Sequence, residues 1–461
     1  MSDPISPRDF GASFKGFMEQ MAQQTPREEP FFPRRLRDHF GADPSKLTIV
    51  GEKLALADHP NLHLALEAFV SAAGRTFELI GITTAAPPFM GLKLTDLIAP
   101  GGMMQAGAAS EGPVSYTRIP LDGDRVLACT ELGIYLVREG DARLAILVQR
   151  PHERAAGTVT VEVLAADRGA AEACLAALRT AMRKRNVYRG HVVSLWTKDL
   201  ALQVGFHRLP PIGRDQIILP AGLLERIERQ TAGFARHAER LAAAGRHLKR
   251  GLLLHGRPGT GKTLTAMYLA SLMPDRTVLL LTGRGIGLVE QACAMARVLQ
   301  PATIILEDVD LIAEERSRQS AGCSTLLFEL LNQMDGLADD ADLLFVLTTN
   351  RPELLEPALA ARPGRIDQAI EVPIPDAGCR RRLFELYARG LTIAADLGPY
   401  VERTAGASAA FIRELLRKAA LFAADEGDEL VVSAKHFDDA LHEMVVEGGE
   451  LTKSLLGAAP T

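Results

Sequence analysis

The chain offers little to tie it to an oxidising compartment, a metal centre or a membrane. Its five cysteines, Cys129, Cys174, Cys293, Cys323 and Cys379, are scattered. With no C-x-x-C or His-paired spacing, they argue against a zinc site or a disulfide framework and read as reduced core thiols. No run of about 18 apolar residues exists, so no segment reads as a membrane span. The N-terminus, MSDPISPRDF, lacks the basic start and apolar middle of a signal peptide, so a cytoplasmic location is expected. A basic excess is also missing. The 52 Lys and Arg against 57 Asp and Glu leave a net charge of -5, which gives no global field to attract nucleic acid. What is there, 47% hydrophobic and 24% charged residues over 461 positions, is an ordinary globular mixture. That length holds about three domains.

Phe10, Phe14, Phe17, Met18 and Met21 share one helical stripe, followed by the Pro- and charge-rich TPREEPFFPRR at 25–35. A docking helix and a terminal helix packed on its own domain both fit such a stripe. From about 36 to 110, helical stretches such as NLHLALEAFVSAAG alternate with Gly-rich and Pro-rich breaks, and GGMMQAGAASEG at 101–112 reads as a loop. The texture then changes. Residues 114–119, 125–137 and 142–149 read as strands divided by DGD and REGD turns, and TVTVEVLAA at 158–166 alternates at period two. Asp167 caps a predicted helix running to Arg185, and GHVVSLW at 190–196 reads as one more strand. Residues 1–195 are thus expected to form an α+β domain without a catalytic motif. The run Arg183-Lys184-Arg185, with Tyr188 and Arg189, suits a solvated last helical turn or a phosphate contact.

A linker is expected over 196–219, containing FHRLPPIGRDQ, and a helical segment runs from Pro220 to about Leu248. Beyond it the order strand, turn, helix, strand repeats to about 375, the pattern of a parallel sheet covered by helices. After Pro375, CRRRLFELYARGL, SAAFIRELLRKAALFAAD and SAKHFDDALHEMV each carry an apolar face, so 376–461 reads as an all-α lid.

The chemistry centres on Gly256-Arg257-Pro258-Gly259-Thr260-Gly261-Lys262-Thr263, which matches the phosphate-cradling pattern G-x-x-x-x-G-K-[ST] at every fixed position. An apolar strand, GLLLH, precedes it, and a helical run, TLTAMYLASL, begins at Thr263 and includes Leu264. A strand feeding a Gly-rich turn at a helix N-terminus aims backbone N–H groups and the helix dipole at one point. Gly259 and Gly261 allow close approach of phosphate, Lys262 reaches the β and γ oxygens, and the Thr263 hydroxyl suits Mg²⁺. A second apolar strand ends in Glu307-Asp308-Val309-Asp310. In a parallel sheet its end lies beside the loop, where carboxylates can hold the Mg²⁺ hydration shell and orient water. The strand LLFVLTT ends in Asn350, an amide able to reach a γ-phosphate or the lytic water. Arg362-Pro363-Gly364-Arg365 then offers guanidinium groups suited to phosphoryl charge.

Taken in order, these residues resemble the AAA family of ATPases within the AAA+ superfamily of P-loop NTPases. The resemblance covers roughly 205–445. GLLLHGRPGTGKT is similar to the family's Walker A segment, IILEDVD to its Walker B, FELLNQMDGL to the helix that follows, and TTNRPELLEPALAARPGRID to its second region of homology. The resemblance implies a P-loop α/β core with a helical lid, ATP and Mg²⁺ as ligands, and a homo-hexameric ring. It implies Asn350 as sensor 1 and Arg362 and Arg365 as the arginine-finger pair, Arg362 foremost. TAGASAAFIRELLRKAA resembles the lid motif, with Gly406 and Ser408 near the adenine. Here Ala409 stands for a usual glycine and Phe411 for a usual acid.

Two further departures stand out. The usual Asp-Glu of Walker B is Glu307-Asp308, an order similar to that of the mitochondrial AAA protein that moves the folded Rieske protein. By position, Glu307 serves the metal shell and Asp308 polarises water, each displaced by one methylene. The interval where unfoldases carry an aromatic gripping loop holds only Arg284-Gly285-Ile286-Gly287. Threading by aromatic paddles is therefore not expected, and action on a folded or assembled protein gains weight. The expected function is an ATP-hydrolysing ring that remodels a protein partner bound through residues 1–195. The alternative is an ATP-switched assembly scaffold with slow or no turnover. A nucleic-acid motor is disfavoured by the acidic balance and by the lack of an aromatic-basic platform.

Overall fold

A computed structural model describes residues 11, 13–16, 29–84, 91–99, 109–150, 157–198, 201–310, 332–333, 341–355, 366–427 and 429–447. Arg362, Arg365, most of the N-terminal stripe and most of 328–337 lie outside the described residues. The chain divides into two units, 1–119 with 128–182 and 120–127 with 183–461.

In the first unit, helices α1 (Phe31–Phe40), α2 (His59–Val70), α3 (Leu94–Ile98) and α4 (Arg168–Lys184) accompany strands β1 (Thr48–Ala55), β2 (Arg75–Thr83), β3 (Ser110–Gly112), β4 (Ser115–Pro120), β5 (Val126–Glu139), β6 (Ala142–Gln149) and β7 (Thr158–Ala165). The sheet runs β1-β7-β6-β5-β2-β3 with β4 also beside β5, and neighbours along that order pair antiparallel. Alternation along β5 shows why it is covered on both faces. Tyr135 and Val137 pack with Leu66 and Phe69 of α2 and Leu175 of α4. Ile134 and Leu136 pack with Phe32 and Leu36 of α1 and Leu97 of α3. Three of these strands differ from the expectation over 36–112, where β3 pairs with β2 at the end of the stretch read as a loop. TIVGEKLA and RTFELIGIT are extended because each finds a ladder partner distant in sequence, β7 and β5 respectively, and tertiary pairing overrides weak local preference.

The second unit holds β8 (Val192–Lys198), β9 (Ala201–His207), α5 (Leu223–Glu228), β10 (Arg250–His255), α6 (Lys262–Ser271), β11 (Thr277–Leu281), α7 (Val289–Val298), β12 (Ala302–Leu306), β13 (Leu343–Thr349) and β14 (Gln368–Glu371). The sheet order is β14-β10-β13-β12-β11-β8-β9. It is parallel from β14 to β8, and only β8-β9 is antiparallel. Its inner strands are buried throughout: β12 reads ATIIL and β13 LLFVLTT without an exposed residue. One face packs Leu253, Ile304 and Phe345 against Val289, Ala292 and Ala296 of α7. The other packs Leu252, Ile305 and Val346 against Ala266 and Leu269 of α6 and Ile227 of α5.

β8 and β9 correct the expected boundaries at 195 and 219. The strand read as the last of the N-terminal domain, and the one placed in the linker, both belong to the second sheet, with Val193 opposite Leu279. An alternating strand does not declare which sheet it will join. The lid consists of α8 (Ala377–Tyr387), α9 (Gly398–Arg403), α10 (Ala409–Glu426) and α11 (Ala434–His442) around Phe384, Phe411, Leu415 and Phe437. It is not wholly helical: β15 (Thr392–Ala394) and β16 (Val431–Ser433) form a short parallel pair.

Candidate functional site

Register in the parallel sheet builds the site. His255 lies opposite Thr349 and Leu306 opposite Leu347, so the chain leaves β10, β13 and β12 at the same edge, with Gly256, Asn350 and Glu307 side by side. The Gly256 to Thr263 loop turns there into α6. Gly261 caps that helix in the left-handed region at φ 99°, and a Cβ on Gly256 would meet the Val372 carbonyl at 2.3 Å. Gly259 has a role that its sequence position did not reveal. At φ 75°, a Cβ there would lie 2.7 Å from Ser408 Oγ and 2.9 Å from Ala410 Cβ, so its smallness admits the lid.

Lys262 is buried, 5% exposed. Its ammonium donates to the Gly256 and Arg257 carbonyls at 2.9 Å each and to Asn350 Oδ1 at 2.7 Å. Burial pulls its pKa down to about 8, against the opposing pull of Asp308 and Asp310. Asn350 Nδ2 donates to Asp308 Oδ1 at 3.1 Å. An ammonium on one side and a carboxylate on the other fix the orientation of that amide. Asp308 has φ 49°, and its backbone N–H donates to Thr348 Oγ1 at 3.0 Å.

The Thr263 side chain hydrogen-bonds the Glu307 carboxyl. Burial raises the Glu307 pKa, the Thr263 bond lowers it, and the neighbouring Asp308 charge raises it again. Glu307 Oε1 is buried without a hydrogen-bond partner. A hydroxyl and an incompletely bonded carboxylate are hard oxygen donors of the kind that Mg²⁺ and its waters take. The residues present therefore fit the ion. Pro258 and Leu264 are exposed beside the loop, and Thr260 is buried with its hydroxyl on the Arg257 carbonyl at 2.9 Å.

Thr348, which sequence reasoning left without a role, and Asp310, read there only as one of the strand-end carboxylates, stand behind these groups. Asp310 Oδ1 accepts from Thr349 Oγ1 at 2.8 Å and from the Asn350 backbone N–H at 3.1 Å. Thr348 holds Asp308. The acidic run signalled Asp310, but its partners follow only from the pairing of β12 with β13. In the lid, Gly406 is left-handed at φ 78°, and the buried Ser408 caps α10 by accepting the Phe411 N–H at 3.2 Å. The Ala410 N–H reaches the Gly259 carbonyl at 3.1 Å. Phe411 is buried in the lid core. Residues 217–219, expected as linker, are packed. Ile217 and Leu219 enter the sheet's core and Ile218 the lid's.

The model of the family described as ATPase family associated with various cellular activities (AAA) matches residues 252–374. The chain carries an AAA ATPase domain. Proteasome-activating nucleotidase 2 of Halobacterium salinarum is 33% identical over 225 residues, 46% of this chain and 54% of that protein. The 26S proteasome regulatory subunit 8 homolog of Schizosaccharomyces pombe is 33% identical over 234 residues, 47% of this chain and 58% of that protein. ATP-dependent zinc metalloprotease FtsH 2 of Sphaerobacter thermophilus is 34% identical over 212 residues, 43% of this chain and 32% of that protein. The chain thus spans from about a third to somewhat over half of the length of these relatives. The stretch 252–374 that the family model matches contains the phosphate loop from Gly256, the Glu307-Asp308 pair and Asn350.

Proposed function

We propose that the protein is an Mg²⁺-dependent ATPase working as a homo-hexameric ring in the cytoplasm, coupling hydrolysis to remodelling of a protein partner engaged by its N-terminal α+β region. The observation that carries this reading is the Lys262-Asn350-Asp308 network, with Glu307 and Thr263 beside it. In this reading the loop N–H groups from Pro258 to Thr263 and the Lys262 ammonium bind the β and γ phosphates. Thr263 and Glu307 hold the ion, which when bound neutralises charge on the phosphate oxygens. Asn350 and Asp308 orient a water for in-line attack on the γ phosphorus. The bond to the β-phosphate oxygen breaks, ADP leaves, and Asp308 accepts the proton released by the water. Gly406 and Ser408 lie toward the adenine side.

Arg362, with Arg365, acts in trans from a neighbouring subunit. Replacing Arg362 by Ala should preserve nucleotide binding and lower turnover by roughly 10³-fold, as for other trans-acting arginines. A monomer with full activity would remove the ring from the proposal. Steady-state ATP turnover of the wild type and of Asp308→Asn, with binding measured in parallel, tests the enzyme itself. Loss of on the order of 10²- to 10⁴-fold is expected. Equal rates with intact binding would leave the slow scaffold as the surviving account.

A further inference from the structure

The reversed order of the acidic pair poses a geometric problem, because Asp308 is one methylene shorter than the glutamate usual at that place. The backbone supplies a counterpart. The final ladder bond of β12 toward β11 runs from Glu307 N to the Leu281 carbonyl at 3.1 Å. At the next residue the chain changes partner and turns into the left-handed region, φ 49°, the only positive φ among the described non-glycine residues. Side chains of L-residues avoid that region, and Asp and Asn tolerate it best. The turn is held from β13, where Thr348 Oγ1 accepts the Asp308 N–H at 3.0 Å, and from Asn350, which donates to its carboxylate at 3.1 Å. Thr348 is itself fully buried, with Leu254 opposite it in the β10-β13 ladder and a branched Cβ that restricts its rotamer.

We propose that Thr348 is a positioning residue which, by anchoring the left-handed turn, makes the Glu307-Asp308 order a matched set in which a re-aimed backbone carries the shorter carboxylate to the attacking water. The proposal rests on the hydrolysis reading above. Its consequence is opposite to what side-chain length alone predicts. Restoring the usual glutamate at 308 lengthens the reach but sets a longer side chain on a backbone that favours Asp, so it misaims the carboxylate.

The test measures kcat and KM for Mg-ATP, with nucleotide affinity as a control, on the full chain and four variants. Thr348→Val should lower kcat about 10- to 100-fold, the cost of a small misplacement, with KM within about threefold. Thr348→Ser keeps the hydroxyl and should recover most of that loss. Asp308→Glu and the order-restoring pair E307D/D308E should both fall at least about tenfold below wild type. A purely structural role for Thr348 would shift affinity and melting temperature together with kcat, and serine would not rescue it selectively. A Thr348→Val enzyme as fast as wild type, or an Asp308→Glu enzyme at least as fast, overturns the proposal while leaving hydrolysis intact. A wild type with no turnover overturns hydrolysis, and the proposal with it. If Thr348→Val does not fold, Asp308→Glu and the double variant decide alone.

Discussion

Each unit buries a polar network, and the two are built on opposite electrostatic principles. In the first unit Thr130 is the hub. Its carbonyl is bonded to His59 Nε2 at 2.8 Å, its N–H to His63 Nδ1 at 3.4 Å and its hydroxyl to Tyr135 Oη at 2.9 Å. Burial favours the neutral forms, with His59 lowered to about 4, His63 lowered despite the Glu67 carboxylate 3.3 Å from its Nε2, and Tyr135 raised. In the second unit Asn350 is the hub, and it joins an ammonium to carboxylates. Each network leaves one buried atom without a partner, His59 Nδ1 in the first and Glu307 Oε1 in the second. An unpaired imidazole nitrogen costs about 1–3 kcal/mol and draws nothing in particular. A carboxylate oxygen beside a threonine hydroxyl favours a cation. Burial alone therefore does not mark a site; burial of opposed charges with a donor set left open does.

The largest test of this contrast is Lys262→Ala, which removes the cation and should weaken nucleotide binding at least about 100-fold in a fluorescent-nucleotide titration. Acid should do the reverse and strike the neutral network. His59 in that network, and His39 apart from it with its Nε2 bonded to the Leu144 carbonyl at 3.1 Å, are both lowered to about 4 by burial. Their folded pKa values lie below the unfolded one, so the stability tied to their neutral state is fully present above about pH 6.5 and is lost progressively as pH falls toward 4. At the end of that window each costs on the order of 3 kcal/mol. Hydrogen exchange at pH 7 and pH 4.5 should show protection in β5 and β6 falling, and His39→Phe should reduce that sensitivity.

Gly259→Ala tests the contact between lid and loop. A methyl group at a left-handed position, 2.7 Å from Ser408 Oγ, should cost about 1–2 kcal/mol and weaken nucleotide binding by roughly 10-fold or somewhat more. The smallest effect expected is on pH dependence. Because Lys262 is lowered to about 8, it discharges as pH rises through that value, and the dissociation constant should grow at most about tenfold between pH 7 and 9. A flat profile would mean that bound phosphate contributes no more to the charged lysine than to the neutral one.

Much of the candidate site's arrangement was legible because its signals are local. The loop from Gly256 to Thr263 needs a strand before it, a helix after it and fixed residues between, and all of these are read from a short window. The ends of β12 and β13 were legible because an apolar strand closing in polar residues is conspicuous. Thr348 and Asp310 were not, since their roles depend on which residues stand opposite across a ladder. The packing of 217–219, the true place of β8 and β9, and the extended character of TIVGEKLA escaped for the same reason. Gly259 was legible as a glycine but not for its lid contact, because Ser408 lies far along the chain.

The β8-β9 hairpin also sets how the second sheet would take a load. Helix α4 of the first unit ends at Lys184, and β8 starts at Val192, paired in parallel with β11 and in turn with β9 over seven antiparallel pairs. Tension transmitted along the chain from the N-terminal side arrives at the start of a strand and runs along its length. The ladder bonds to both neighbours then carry the load in shear, all at once, rather than peeling apart one by one. A load along β8 would thus be shared across the ladder of the sheet that carries Glu307 and Asp308, rather than unravelling it residue by residue.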